Sequence, residues 1–169
     1  MLSKAEIITA LQNEVRIVLH LASKIDREKL DYRPTPKQRS TLELMRYLSM
    51  MGPTLVRYMK SGSKTADLWM EAQARADTRD LDQAIAAIAL QRDEYGSLVS
   101  DMSEEFLRSD TMAPDGSTAT IGAALVTGVY ASCVAYRMQL FLYLKSSGRE
   151  ELDTMNLWAG VDAPPAPTA

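Results

Sequence analysis

DYRPTPKQRSTLELMRYL, residues 31–48, is the stretch that decides the fold. Pro34 and Pro36 fix their own φ and push the preceding residue away from helix, so the chain runs extended here. Ser40 and Glu43 then form S-x-x-E, in which hydroxyl and carboxylate each satisfy an orphan amide at a helix start. Leu44, Leu48, Met51, Leu55 and Tyr58 follow at three- and four-residue spacing, so this helix has one apolar face. Gly52-Pro53 falls in its middle, where a kink or a break is expected.

Upstream, Ser3 and Glu6 repeat the capping box, and Ile8, Leu11, Val15, Val18, Ala22 and Ile25 form the seam of a first helix. Downstream, the weakly amphipathic Ala66 to Ala74, with Trp69 and Met70, reads as a short helix. A third long helix is expected from Leu81 to Met102, capped by Thr78, with Leu81, Ile85, Ile88, Tyr95, Val99 and Met102 on one side and Arg92 within the seam. Pro114 to Gly116 signals a turn. Thr118 or Thr120 caps a fourth helix that ends near Ser147, with Gly148 as its stop. No strand pair competes. Residues 149–160 form an appendage anchored by Leu152, Met155, Leu157 and Trp158, and the closing APPAPTA has no means of forming helix or ladder. The fold class is all-α, an up-and-down four-helix bundle with a long connection between helices 2 and 3 and a short C-terminal extension. One domain is expected over 1–161, with a disordered Pro/Ala tail at 162–169.

Composition excludes several functions. The 169 residues suit a single domain. With 19 basic against 22 acidic residues and a net charge of -3, no cluster can neutralise a row of phosphates, so neither nucleic acid nor an anionic membrane is an expected partner. The single cysteine, Cys133, excludes an intrachain disulfide and a multi-cysteine zinc site. MLSKAEII lacks the basic start and apolar stretch of a signal peptide, so a cytoplasmic location is expected. No charged residue occurs from 116 to 136, about the length of a membrane span. Ser117, Thr118, Thr120, Thr127 and Ser132 interrupt that run, which reads as a buried helix. The ten methionines indicate an adaptable apolar interior.

Ser132, Tyr136, Gln139 and Tyr143 recur at four, three and four residues and share one face with Leu125 and Val129. A buried stripe that begins apolar and turns polar suits a ligand pocket inside a bundle. The other reading is a row of core-edge tyrosines whose hydroxyls reach solvent or backbone.

The segment AYRMQLFLYL, Ala135 to Leu144, together with the Arg-Pro connector and the Ser-capped second helix, resembles the DinB/YfiT-like superfamily. That resemblance implies a four-helix bundle, a homodimer and, in metal-binding members, three histidines around a divalent ion. By position the three places fall on Tyr47, Ser132 and Tyr136, and none is an ordinary ligand for zinc, nickel or iron. The family glutamine is kept as Gln139, while its preceding glycine is Met138. The expected function is therefore a DinB-like protein without metal-dependent catalysis and without a cofactor, which either holds a small molecule among Tyr47, Ser132, Tyr136, Gln139 and Tyr143 or acts through a partner. Whether it is an enzyme stays open, leaning against. One alternative is a DinB-type metal-dependent hydrolase or thiol transferase with an atypical zinc or nickel site, borrowing His20 from a second subunit. Another is a purely structural dimerising bundle. His20 itself lies off the first helix's seam, beside Asn13, Arg16, Ile17 and Lys24, and reads as a surface or interface histidine. Cys133 reads as a small core residue, Ser61 to Lys64 as a chance S-x-x-K, and Arg33, Arg46 and Arg137 as solvated cations or, alternatively, contacts for an anion at a bundle end.

Overall fold

The computed structural model describes residues 2–61, 66–112 and 116–164. Among the described residues seven α-helices carry the chain: α1 (Lys4–Ala22), α2 (Thr41–Leu48), α3 (Met51–Ser61), α4 (Ala66–Asp77), α5 (Leu81–Ser100), α6 (Glu104–Arg108) and α7 (Ile121–Ser146), the last containing a wider π-helical turn at Leu125–Tyr130, with short helical turns besides at Arg27–Lys29 and Met155–Ala159. Both S-x-x-E boxes form. Ser40 Oγ accepts from the Glu43 amide at 3.3 Å, and the Ser40 amide donates to Glu43 Oε2 at 2.7 Å. Arg33 pairs with the same carboxylate at 3.3 Å, so it is not a free cation.

Pro53 breaks the second helix in two. It has no N–H to offer the Ser49 carbonyl and its ring crowds that oxygen, so α2 ends at Leu48 and α3 starts at Met51. The freed carbonyls find other donors. Arg79 Nη1 reaches Ser49 O at 3.2 Å and Ser49 Oγ at 2.5 Å, and Gln91 Nε2 reaches Leu48 O at 2.8 Å.

Two expectations for α5 need correction. Its cap is Asp80, whose Oδ1 accepts from the Gln83 amide at 2.8 Å while the Asp80 amide donates to Gln83 Oε1 at 3.0 Å. Thr78 instead donates to the Arg75 carbonyl at the end of α4. The inward seam is Leu81, Ala84, Ile88, Gln91, Tyr95 and Val99. Gln91 therefore takes the buried place and Arg92 is exposed.

A strand pair also forms where none was expected. Asp110–Met112 (β1) runs antiparallel to Thr118–Thr120 (β2), with Thr111 opposite Ala119. Pro114 and Asp115 of the expected turn lie outside the described residues, as do 62–64 of the S-x-x-K. Thr120 caps α7 through the Ala123 amide at 3.2 Å. At the other end Gly148 takes φ 111, which a side chain would resist, and the amides of Gly148 and Arg149 close onto Lys145 O and Leu144 O as a Schellman stop.

Against α1 lie α5 and α7, and the broken pair α2 and α3 also packs on α5 and α7. Leu11, Leu21, Leu44, Met45, Leu125, Leu140 and Leu144 form the centre of the resulting core. α7 is, among the described residues, long and apolar enough to cross a bilayer, and here it packs as one wall of this core.

The C-terminal segment lies along the outer side of α1. Leu152 and Leu157 are its buried anchors, whereas Met155 and Trp158 are exposed, a correction to the expected four. The backbone at Gly160 covers Ile17, which is fully buried although it lies off the α1 seam. Asp162, at the start of the expected tail, accepts from Lys24 Nζ at 2.7 Å and Asn156 Nδ2 at 2.9 Å, and residues 165–169 lie outside the described residues.

His20 is consequently not a surface residue. Its side chain is 15% exposed, with Nε2 3.0 Å from Asn156 Nδ2 and 3.6 Å from Asp162 Oδ1. Burial, the largest influence, lowers its pKa from the ordinary 6.5, with Asp162 acting in the opposite direction. A base with a depressed folded pKa gives stability that is whole above the unfolded value and lost as pH falls through the folded one. The melting temperature of the wild type should thus fall between about pH 7 and 5 more steeply than that of His20→Gln, which keeps an acceptor but cannot titrate. Equal slopes would show that His20 plays no part.

Candidate functional site

Tyr47, in the last turn of α2, and Tyr136, on α7, meet ring against ring at 4.8 Å and 63°. This is the edge contact that aromatic quadrupoles favour. Trp69 of α4 packs on the other side of Tyr47 at 6.0 Å, and the Arg39 guanidinium lies over the Tyr47 ring at 3.9 Å. Burial first, and the neighbouring Tyr136 phenol second, push the Tyr47 pKa well up, so this phenol stays protonated at neutral pH. It is a hydrogen-bond donor, neither a phenolate ligand nor a base.

Gln139 and Tyr143 form a second group. Gln139 Nε2 donates to the Tyr143 hydroxyl at 2.6 Å, and that hydroxyl donates to Arg39 O at 2.9 Å. Tyr32 stacks edge-on against Tyr143 at 5.7 Å, and Tyr143 is buried. The connector that opens the sequence reading is thus pinned to α7 by its own backbone carbonyl; it does not run extended as expected but turns at residues 35–38, where the Gln38 amide donates to the Thr35 carbonyl at 3.0 Å. Ser132 lies half buried on α7, one turn before Tyr136. The five expected residues therefore fall into an aromatic contact between α2 and α7, a hydrogen-bonded pair and a lone serine; the buried line of α7 runs through Cys133, Arg137, Leu140 and Leu144, so Ser132, Tyr136 and Gln139 sit at its half-buried edge and not on the buried stripe expected.

The interior holds polar groups that the sequence reading passed over. Glu14 of α1 and Arg137 of α7 form an ion pair at 3.0 Å, each side chain 3% exposed. Arg137 is therefore not a solvated cation, because the α7 face it occupies is closed by α1 and by the Trp158 ring, 5.1 Å from the guanidinium. Glu14 Oε2 and Arg137 Nε have no partner among the described residues. Burial raises the Glu14 pKa while Arg137 pulls it back. The signal was present: Glu14 sits three residues after Leu11 and four before Val18, inside the apolar stripe. Nearby, the Tyr95 hydroxyl lies 3.7 Å from Cys133 Sγ. Burial pushes the Cys133 thiol up to about 11, so at neutral pH it is no nucleophile. A cavity of about 20 Å³ touches Glu14, Gly52, Gln91, Tyr95 and Cys133, room for roughly one water.

The donor set at Tyr47, Ser132 and Tyr136, a protonated phenol, a hydroxyl and a second phenol, does not fit a divalent transition metal. Among the described residues, no three His, Cys, Asp or Glu side chains gather elsewhere.

No family model matches the chain, and no curated protein matches it. Among solved structures, the crystal structure of a DinB-like protein from Bacillus subtilis is similar, with a TM-score of 0.66 at 19% identity over 87% of this chain and 94% of that one. At that identity the likeness establishes the fold. The chain has a DinB-like, predominantly helical fold.

Proposed function

We propose that this chain is an up-and-down four-helix bundle of the DinB type that works by binding and not by metal catalysis. α1, the broken α2 and α3 pair, α5 and α7 supply the long helices, and their mutual packing supports that arrangement. The observation that carries the functional reading is the Tyr47 and Tyr136 ring contact at 4.8 Å, with the Tyr47 phenol held protonated. By the resemblance, two of the three places that hold imidazoles in the family's metal-binding members are the rings Tyr47 and Tyr136, and the third is Ser132. The ligand expected there is a small organic molecule that accepts hydrogen bonds from phenols and the Gln139 amide and stacks on an aromatic edge. A cytoplasmic homodimer is the form we expect. Recruitment of His20 from a second subunit is disfavoured by its cover of Asn156 and Asp162.

Elemental analysis of protein purified without chelators tests the reading: zinc, nickel and iron should each be well below stoichiometric. One tightly bound ion per chain would overturn it. The converse variant, Tyr47→His with Ser132→His and Tyr136→His, should gain a melting temperature that rises with added nickel, because ligand bound only to the folded state stabilises it by about 2.7 kcal/mol at a hundredfold excess over Kd.

A further inference from the structure

Away from the tyrosine stripe, α3, α4 and α5 enclose a cleft of about 570 Å³. That lies within the range of roughly 300–1,000 Å³ typical of small-molecule sites. Its apolar wall is Met50, Pro53, Leu68, Ala72, Ala87 and Leu90, and its polar groups include Arg57, Arg75, Arg79 and Glu94. Glu94 is already paired with Arg57. Arg75 has a solvent-exposed partner, Glu71, at 3.6 Å, in a pair that is weak at best. Arg79 has no carboxylate partner among the described residues, and its Nη1 is spent on Ser49. Arg46 holds it in place from behind, its Nε donating to Arg79 O at 2.6 Å. Burial, and then the charge of Arg75, act against the Arg79 cation. The cleft thus pairs an apolar wall with Arg79, which lacks a paired carboxylate among the described residues, and Arg75, whose one partner is solvent-exposed, while Glu94 acts on Arg79 only from a distance.

We propose that this cleft binds an anionic amphiphile, its carboxylate or phosphate head at Arg75 and Arg79 and its hydrocarbon body along Leu68, Ala72, Ala87 and Leu90. The paired Arg57 and Glu94 close one side of the cleft without adding net charge. Guanidiniums suit either head, because their planar fork matches two oxygens at once. An apolar body alone would leave Arg79 without a carboxylate and Arg75 with only its exposed pair to Glu71, and a cationic head would meet two like charges.

Isothermal titration of the full chain with octanoate, octyl phosphate, octanol, octylamine and inorganic phosphate tests this. Octanoate and octyl phosphate should bind roughly tenfold or more tightly than octanol and octylamine, with affinity falling as salt rises. Inorganic phosphate should bind more weakly than octyl phosphate, and the order of the two octyl anions assigns the preferred head. Arg75→Glu, at a side chain 66% exposed, should weaken octanoate roughly tenfold while leaving the fold intact. Ala87→Trp should fill the cleft and abolish binding with the helical circular dichroism unchanged. Tyr136→Phe should leave octanoate affinity as in the wild type, which separates this site from the tyrosine stripe. The proposal is overturned if octanol binds as well as octanoate, if Arg75→Glu and Ala87→Trp both bind like the wild type, or if Leu90→Arg splits a dimer that octanoate leaves intact.

Discussion

Gly52→Ala should destabilise the protein by at least ~3 kcal/mol, more than a methyl added to a core usually costs. A Cβ built at residue 52 would lie 1.7 Å from the Tyr95 hydroxyl oxygen and 3.0 Å from the carbon that bears it. Tyr95 has little room to withdraw, being wholly buried with its hydroxyl against Cys133 and a cavity beside it that has room for roughly one water. The clash is with one atom, so its removal should relieve most of the damage. Tyr95→Phe alone should cost about 1 kcal/mol, yet in the Gly52→Ala background it should restore ~1–2 kcal/mol. Urea midpoints at constant slope measure all four corners of the cycle. Strict additivity, or a Gly52→Ala variant as stable as the wild type, would mean that Tyr95 is not confined as described.

Glu14→Ala and Arg137→Ala should each cost ~3–5 kcal/mol, because either one leaves the other charge buried and alone. The pair itself is incompletely satisfied, with Oε2 and Nε unpartnered among the described residues. Glu14→Leu combined with Arg137→Met should therefore be close to neutral, or more stable than the wild type. Chemical denaturation of the two single variants and the double variant decides it. If the double variant is as damaged as the singles, the ion pair contributes net stability that its desolvation does not cancel.

The helical class, the capping boxes at Ser3 and Ser40, the break at Pro53 and the stop at Gly148 were all legible in the sequence, because each rests on chemistry within a few residues of itself. Asp80 was missed as a cap because Thr78 offered a hydroxyl two residues earlier, although aspartate is the stronger cap and Gln83 completes its box. The strand pair could not be read, since three residues per strand carry no usable period. Glu14 was legible in principle, as a carboxylate inside a leucine and valine stripe, but its partner lies 123 residues away. The reason for Gly52 was hidden for the same cause, the Tyr95 ring arriving from another helix. Of the site, the sequence placed Tyr47 and Tyr136 in one neighbourhood by family resemblance and Gln139 and Tyr143 by spacing. The cleft at Arg79 escaped because its walls come from three helices and its cation from a loop end, with no shared period to announce it.

Residues 149–162 lie against α1, where they shield Ile17, His20 and the guanidinium of Arg137. That helix precedes its cover by more than a hundred residues, so during synthesis its outer flank stays bare until residues 149–162 have left the ribosome. A chain truncated after residue 148 would keep every long helix described here and leave an oily, charged seam open to water, a natural substrate for chaperones and proteases.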